Sequence, residues 1–262
     1  MNIYVLRKST LIKICAAIVF ISTLLITLVS NFTYVKGAFS PKRELPIYSV
    51  ETNEKTVSIT FDCAWEADDI PDILRTLEKE DVKATFFIVG QWAEKYPEAV
   101  KMISDQGHDV ANHSYSHKRF GALDRKTLEN QITKCSAILS GITGKAVNLV
   151  RPPYGDYSDN AVLTARELGY QTIQWDVDSL DWKKEISAAE IQNRVIKSVK
   201  PGSIILFHND TQYTARVLPS IISTLKSKGY GFKPVSSLIL KENWFIDEEG
   251  RQRTKVEQQK EH

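Results

Sequence analysis

Short apolar runs alternate with longer amphipathic stretches along most of this chain, and that alternation limits its folds more than any other feature. Runs rich in β-branched and aromatic residues occur at 57–61, 84–89, 146–150, 171–175 and 203–207. Between them lie segments with helical spacing. Residues 70–80 put Ile70, Ile73, Leu74 and Leu77 on one face, and 125–139 do the same with Leu128, Ile132, Cys135 and Leu139. Further helices fit 160–168, 188–199 and 217–228, with Gly169, Gly202, Gly229 and Gly231 marking ends. Strands alternating with helices pair in parallel through right-handed crossovers. Roughly seven such units fit the pattern, which suits an α/β barrel better than a small open sheet.

The residues best able to do chemistry recur at one kind of position. Asp62 follows VSITF, His113 and His117 follow DVAN, Arg151 follows AVNLV, Asp178 follows QTIQW and His208 follows SIILF. Each stands at or just past the C-terminal end of a predicted strand. In a parallel barrel those ends share one face, where active sites form.

His113 and His117 are spaced i, i+4 in HSYSH. On a helical turn that spacing puts both imidazoles on one side, as a zinc or similar ion requires; two ordinary surface or core histidines fit the pattern too. His108 is another histidine of this region. Asp62 offers a carboxylate as third ligand or base. RPPYG, at 151–155, is stiffened by two prolines and can hold an arginine and a backbone N–H in place. DSLDW, at 178–182, joins a carboxylate and a large aromatic on one loop, and LFH, at 206–208, ends an apolar strand in an imidazole.

The N-terminus follows different rules. Arg7, Lys8 and Lys13 lead into 14–29, which carries no charge. A bilayer core needs roughly 20 mostly apolar residues, and preceding basic residues favour a cytoplasmic start with the remainder exported. Residues 1–36 therefore read as a signal anchor with the membrane as partner, or as a signal peptide cleaved near 35–38 so that the rest is secreted. Residues 37–52 read as a linker, 53–243 as the globular domain, and 244–262 as a charged flexible tail. A net charge of +2 gives no nucleic-acid footprint. Three cysteines at no repeated spacing exclude a disulfide framework.

Taken in order, TFDC, HSYSH, RPPYG, DSLDW and LFH resemble the motifs of the NodB-homology polysaccharide deacetylases, carbohydrate esterase family 4. The resemblance spans about 57–240, and its finer features are similar to the sporulation-associated PdaB branch. It implies a distorted (β/α)7 barrel that hydrolyses N-acetyl groups of a cell-wall polysaccharide, peptidoglycan or a spore-wall glycan, outside the cytoplasm. It also implies a divalent metal, zinc or cobalt, held by an Asp-His-His set. Carried onto this sequence, Asp62 matches the catalytic base, Arg151 the arginine that orients it, His208 the acid and Asp178 the carboxylate that tunes the acid. His113 and His117 match the metal histidines. Trp182 and Leu206 match the walls of the acetyl pocket, and Tyr154 matches the position whose N–H holds the oxyanion.

One position departs from the family. Where the motif has a second, metal-binding aspartate, this chain has Cys63. A thiolate binds zinc at about 2.3 Å, so Cys63 is a candidate ligand. The alternatives are a buried neutral thiol beside a two-histidine site, and substitution by Asp68 or Asp69. Loss of the ligand would leave a polysaccharide-binding member of the same fold with weak or absent catalysis.

Overall fold

The computed structural model describes residues 7–38 and 43–255. It divides into an N-terminal unit, within 1–43, and a larger unit from Glu44 onward. The first contains one helix, α1 (Lys8–Ala38). Phe20, Leu24 and Ile26 of this helix are exposed, and it is long and apolar enough to cross a membrane.

The second unit runs β1 (Ser49–Val50), β2 (Thr56–Cys63), α2 (Ile70–Lys79), β3 (Thr85–Ile88), α3 (Gly90–Lys95), α4 (Pro97–Asp105), β4 (Asp109–Asn112), α5 (Arg125–Thr143), β5 (Leu149–Val150) and α6 (Asp159–Glu167). It continues with β6 (Gln171–Thr172), β7 (Val177–Asp178), α7 (Ala188–Ser198), β8 (Ile204–His208), α8 (Thr214–Ser227), β9 (Gly231–Phe232), α9 (Val235–Leu238), β10 (Trp244–Ile246) and β11 (Arg251–Thr254). The main sheet has the order β6-β5-β4-β3-β2-β8-β7, with β9 beside the start of β2. All its pairings are parallel, and it curls into a half-barrel open between β6 and β7.

β2 is the spine of this sheet, buried along its whole length. Its side chains alternate between the two faces, as a strand requires. Val57, Ile59, Phe61 and Cys63 enter the core beneath the helices, beside Ile73 and Leu77 of α2 and Leu218 and Ile222 of α8. Thr60 and Asp62 face the other way, where both accept hydrogen bonds from Arg151. The helices bury the stripes read from their spacing, Ile70, Ile73, Leu74 and Leu77 in α2 and Leu128, Ile132, Cys135 and Leu139 in α5. Burying each such leucine or isoleucine contributes roughly 1.5–3 kcal/mol. Asp124 caps α5 by accepting from Thr127 N, and Gly144 ends it at φ 68°, a conformation that costs glycine little.

Two expectations fail at the edges. The segment expected as a linker, 37–52, is part of the fold from Glu44 onward: Ile47 bridges to Ile173, and β1 pairs with β11. Gly202 makes this possible, because a Cβ there would meet the carbonyl oxygen of Val50 at 1.7 Å. The segment expected as a flexible tail, 244–262, forms β10 and β11 as far as Thr254. Its charge hid the alternation Trp244–Ile246, and Gln252 is wholly buried, with its amide bonded to both N–H and C=O of Leu240. Residues 256–262 of that tail lie outside the described residues.

Candidate active site

The strand ends deliver most of the expected side chains to one cavity of about 490 Å³. Asp62, His113, His117, Tyr154, Trp182, Leu206 and His208 line it, together with Trp65, Arg119 and Trp175. Register explains the central pair, because β2 and β8 place Asp62 directly opposite His208.

Asp62 is buried, and its Oδ1 accepts from Arg151 Nη1 at 2.7 Å. Burial alone would raise its pKa; the charges of Arg151, His113 and His208 outweigh that and hold the carboxyl below its usual range. Arg151 is fully buried behind it. It also donates to Thr60 Oγ1 at 2.8 Å and to the carbonyl of Gln174 at 3.0 Å, and lies 3.9 Å over the ring of Phe87. So Arg151 does not line the cavity; it fixes the carboxylate that does.

The two histidines meet, but not on a helical turn. The HSYSH segment is an irregular loop in which Ser114 and His117 take φ 66° and 55°. Asn112, which the sequence did not single out, holds this loop: its side chain donates to the carbonyl of Ile132 and to Ser136 Oγ, and accepts from Ser114 N. Ser114 Oγ then accepts from His117 N at 2.9 Å, which turns the second imidazole to within 5.0 Å of the first, centroid to centroid. His113 Nδ1 is 2.8 Å from the carbonyl of Arg151, and donation there leaves Nε2 facing Asp62 Oδ2 at 3.4 Å. Burial depresses both histidines, His117 to about 4, so both rings are neutral near pH 7. His108 lies elsewhere, at the start of β4, accepting from Ala84 N.

The carboxylate beside His208 is Asp181, not Asp178. Asp181 is buried; its Oδ1 is 2.8 Å from His208 Nδ1, and its Oδ2 accepts from His208 N and Thr214 Oγ1. Burial disfavours the imidazolium, yet the Asp181 hydrogen bond and charge prevail and raise the His208 pKa. Asp178 instead turns its side chain onto Leu180 N at 2.8 Å. The cause is local. Leu180 takes φ 59°, which reverses the loop and brings the fourth residue of DSLDW, not the first, against the imidazole. The signal was a second aspartate next to Trp182, in a motif already singled out.

Cys63 is not with the histidines. Strand alternation sends Asp62 to the cavity and Cys63 to the opposite face, where it is wholly buried in the apolar core. Burial, then the charges of Asp62 and Asp69, push its pKa well above the ordinary thiol value. Asp69 does not replace it: its Oδ2 accepts from Asp210 N, and burial raises its pKa to about 6. Among the described residues no three His, Cys, Asp or Glu side chains come together as a metal-holding group. A catalytic zinc site ordinarily has three protein ligands. The cavity supplies two neutral imidazoles and a carboxylate already bonded to Arg151, so the residues do not fit the Asp-His-His set, and Cys63 is corrected from ligand to core residue.

Tyr154 and Trp182 flank the cavity from exposed positions; Leu206, buried, contributes to its wall. Tyr154 has φ 60° within RPPYG and packs 4.5 Å from His117. Trp65 lies 5.8 Å from His208 and was not anticipated; the only hint was an indole two residues beyond the strand end.

An ionised carboxylate facing an imidazole whose pKa a second carboxylate raises can take a proton from one atom and, where that imidazole is protonated, give one to another. The comparisons agree with that chemistry. The family model for "Polysaccharide deacetylase" matches residues 49–173. A peptidoglycan-N-acetylglucosamine deacetylase of Bacillus cereus is 38% identical over 195 residues, 73% of this chain and 70% of the relative. The peptidoglycan-N-acetylmuramic acid deacetylase PdaA of Bacillus subtilis is 34% identical over 195 residues, 73% of this chain and 74% of the relative. Among solved structures, a carbohydrate esterase family 4 pseudoenzyme from Bacillus anthracis superposes with a TM-score of 0.71 at 35% identity, covering 76% of this chain and 69% of that one. The fold, the ordered strand-end residues and these similarities together place the chain in the polysaccharide deacetylase family of hydrolases, carbohydrate esterase family 4.

Proposed function

We propose that this chain removes N-acetyl groups from a cell-wall polysaccharide, peptidoglycan or a spore-wall glycan, on the outer side of a membrane to which α1 anchors it. The observation that carries this reading is the pairing of Asp62–Arg151 with His208–Asp181 across one cavity. Asp62, kept ionised, takes a proton from a water as the water oxygen attacks the acetamide carbon. His208, kept protonated, gives its proton to the leaving nitrogen as the C–N bond breaks. The products are acetate and a free amine. Trp182, Leu206 and Tyr154 bound the space for the acetyl methyl and carbonyl. Cys63, buried in the apolar core, presents no ligand to the family's divalent metal. The sporulation setting rests on the resemblance to the PdaB branch, and cleavage of α1 as a signal peptide is the alternative to anchoring.

A second reading is favoured by one observation. Cys63 leaves the position of a family metal ligand occupied by a core thiol, which suits a glycan-binding protein with little turnover. Acetate release from purified peptidoglycan separates the two. Under the first reading the native protein releases acetate, and Asp62→Asn loses on the order of a hundredfold or more, the scale of a general base, while its circular dichroism is unchanged. Equal release by both proteins would overturn the assignment of Asp62. Binding without release by the native protein selects the second reading.

A further inference from the structure

Attack of water on an acetamide drives the carbonyl electron pair onto oxygen, and that charge has to be met inside the cavity. The donor set for a metal does not assemble here, because Cys63 lies in the core and no third ligand joins the two histidines. The other sources of positive charge are few. His113 and His117 are neutral near pH 7, and Arg151 is buried behind Asp62 and spent on it. His208 has a proton of its own to deliver. One permanent cation is left. Among the described residues, Arg119 is the only lysine or arginine that lines the cavity.

The fold fixes where this guanidinium sits. The next residue, Phe120, is buried with Leu128 and Ile132. Gly121 N donates to Asp156 Oδ2 at 3.0 Å, which ties the turn after HSYSH to the end of the RPPYG loop. Arg119 Cζ consequently lies 4.3 Å from the centre of the Tyr154 ring, and that ring packs 4.5 Å from His117. No carboxylate among the described residues forms an ion pair with it. Asp156 is bonded to Gly121 N and Asp124 to Thr127 N. Stacking on a ring face leaves the N–H edge of a guanidinium free to donate.

We infer that Arg119 is a catalytic residue, donating to the oxyanion and supplying there the charge that a metal supplies elsewhere in the family. This rests on deacetylation as the reaction of the cavity. The water oxygen bonds to the acetamide carbon as Asp62 takes one water proton, and the carbonyl π pair moves to oxygen, against the guanidinium N–H groups. When that pair returns, C=O re-forms, the C–N bond breaks and the nitrogen takes the His208 proton. Acetic acid and a free amine leave, and the acid and Asp62 lose their protons to solvent. Arg119 stays protonated throughout, since a guanidinium does not titrate near neutral pH. The Tyr154 N–H, expected at the same oxyanion, belongs to the residue on which the guanidinium rests.

The test follows acetate release from soluble fragments of purified peptidoglycan by full-length protein in detergent micelles, dialysed against EDTA and assayed with the chelator present. Native protein is expected to turn over under these conditions. Arg119→Gln lowers kcat on the order of a hundredfold, the scale of one lost oxyanion donor, with KM within about twofold of native. Its melting temperature is unchanged, since the side chain is exposed. Guanidinium chloride at millimolar concentration restores part of the rate of Arg119→Ala and leaves the native rate as it was. A native-like kcat in Arg119→Gln overturns the inference. A loss confined to KM overturns it as well, because it makes Arg119 a group that only binds substrate. Native turnover that EDTA abolishes and zinc restores also overturns it, and leaves the deacetylase reading standing. No acetate release by native protein, with zinc or without, overturns both.

Discussion

At the scale of single residues, the site is a set of side chains whose charge states are set by burial and by the charges packed against them. His208 is the clearest case. Its raised pKa depends on Asp181, so Asp181→Asn is expected to lower it and to move the alkaline limb of the pH–rate profile for acetate release to lower pH. Asp178→Asn, which loses a turn contact to Leu180 and a weaker charge effect on His208, is expected to move that limb in the same direction but less. A larger shift from Asp178→Asn than from Asp181→Asn would contradict the geometry. Cys63 gives a second residue-scale prediction. A wholly buried thiol with its pKa pushed up resists iodoacetamide in the folded protein and reacts only on unfolding. Mass spectrometry of alkylated native protein should therefore find Cys63 unmodified, and rapid modification would mean that the thiol reaches the cavity after all.

At the scale of elements, the sequence pattern is a reliable guide where one side of a strand or helix faces an apolar core. The runs now seen as β2, β3, β4, β5, β6 and β8, and the stripes of α2 and α5, follow from hydrophobic spacing alone, as does the gathering of Asp62, His113, Arg151 and His208 at strand C-termini. Three features were less legible, for physical reasons. Facing is decided by parity along β2, and an isolated TFDC does not reveal which of two adjacent residues points inward. The partner of His208 is decided by a single positive φ at Leu180. The terminal sheet is held by a buried glutamine and by pairing over a long sequence separation, neither of which leaves an apolar period. Gln252 tests that last element. Replacing it with Ala leaves the N–H and C=O of Leu240 without their partner, a loss of about 1–3 kcal/mol for buried groups. Chemical denaturation should show that drop, and no change would mean that β11 contributes little to the fold.

For the molecule as a whole, the buried histidines set opposing pH dependences. His117 titrates near 4 in the fold against a reference of 6.5, so the unfolded chain binds the extra proton between those values. The stability linked to His117 is present above about pH 6.5 and is lost as pH falls toward 4, and His113 acts in the same direction. His208, raised by Asp181, contributes stability that is full below 6.5 and is lost as pH rises through its folded pKa. Melting temperature against pH should decline on the acid side, and His117→Gln should flatten that decline. An unaltered acid limb in the variant would mean that His117 is not buried as a neutral ring.

The pairing of β1 with β11 carries a temporal consequence. Ser49 and Val50 lie beside Arg251 and Gln252, so this pairing forms only after β11 has been synthesised, later than the bridges of Ile47 to Ile173 and Ser49 to Ser203. The α/β layers can assemble as their strands emerge, but the seam at the chain ends closes last.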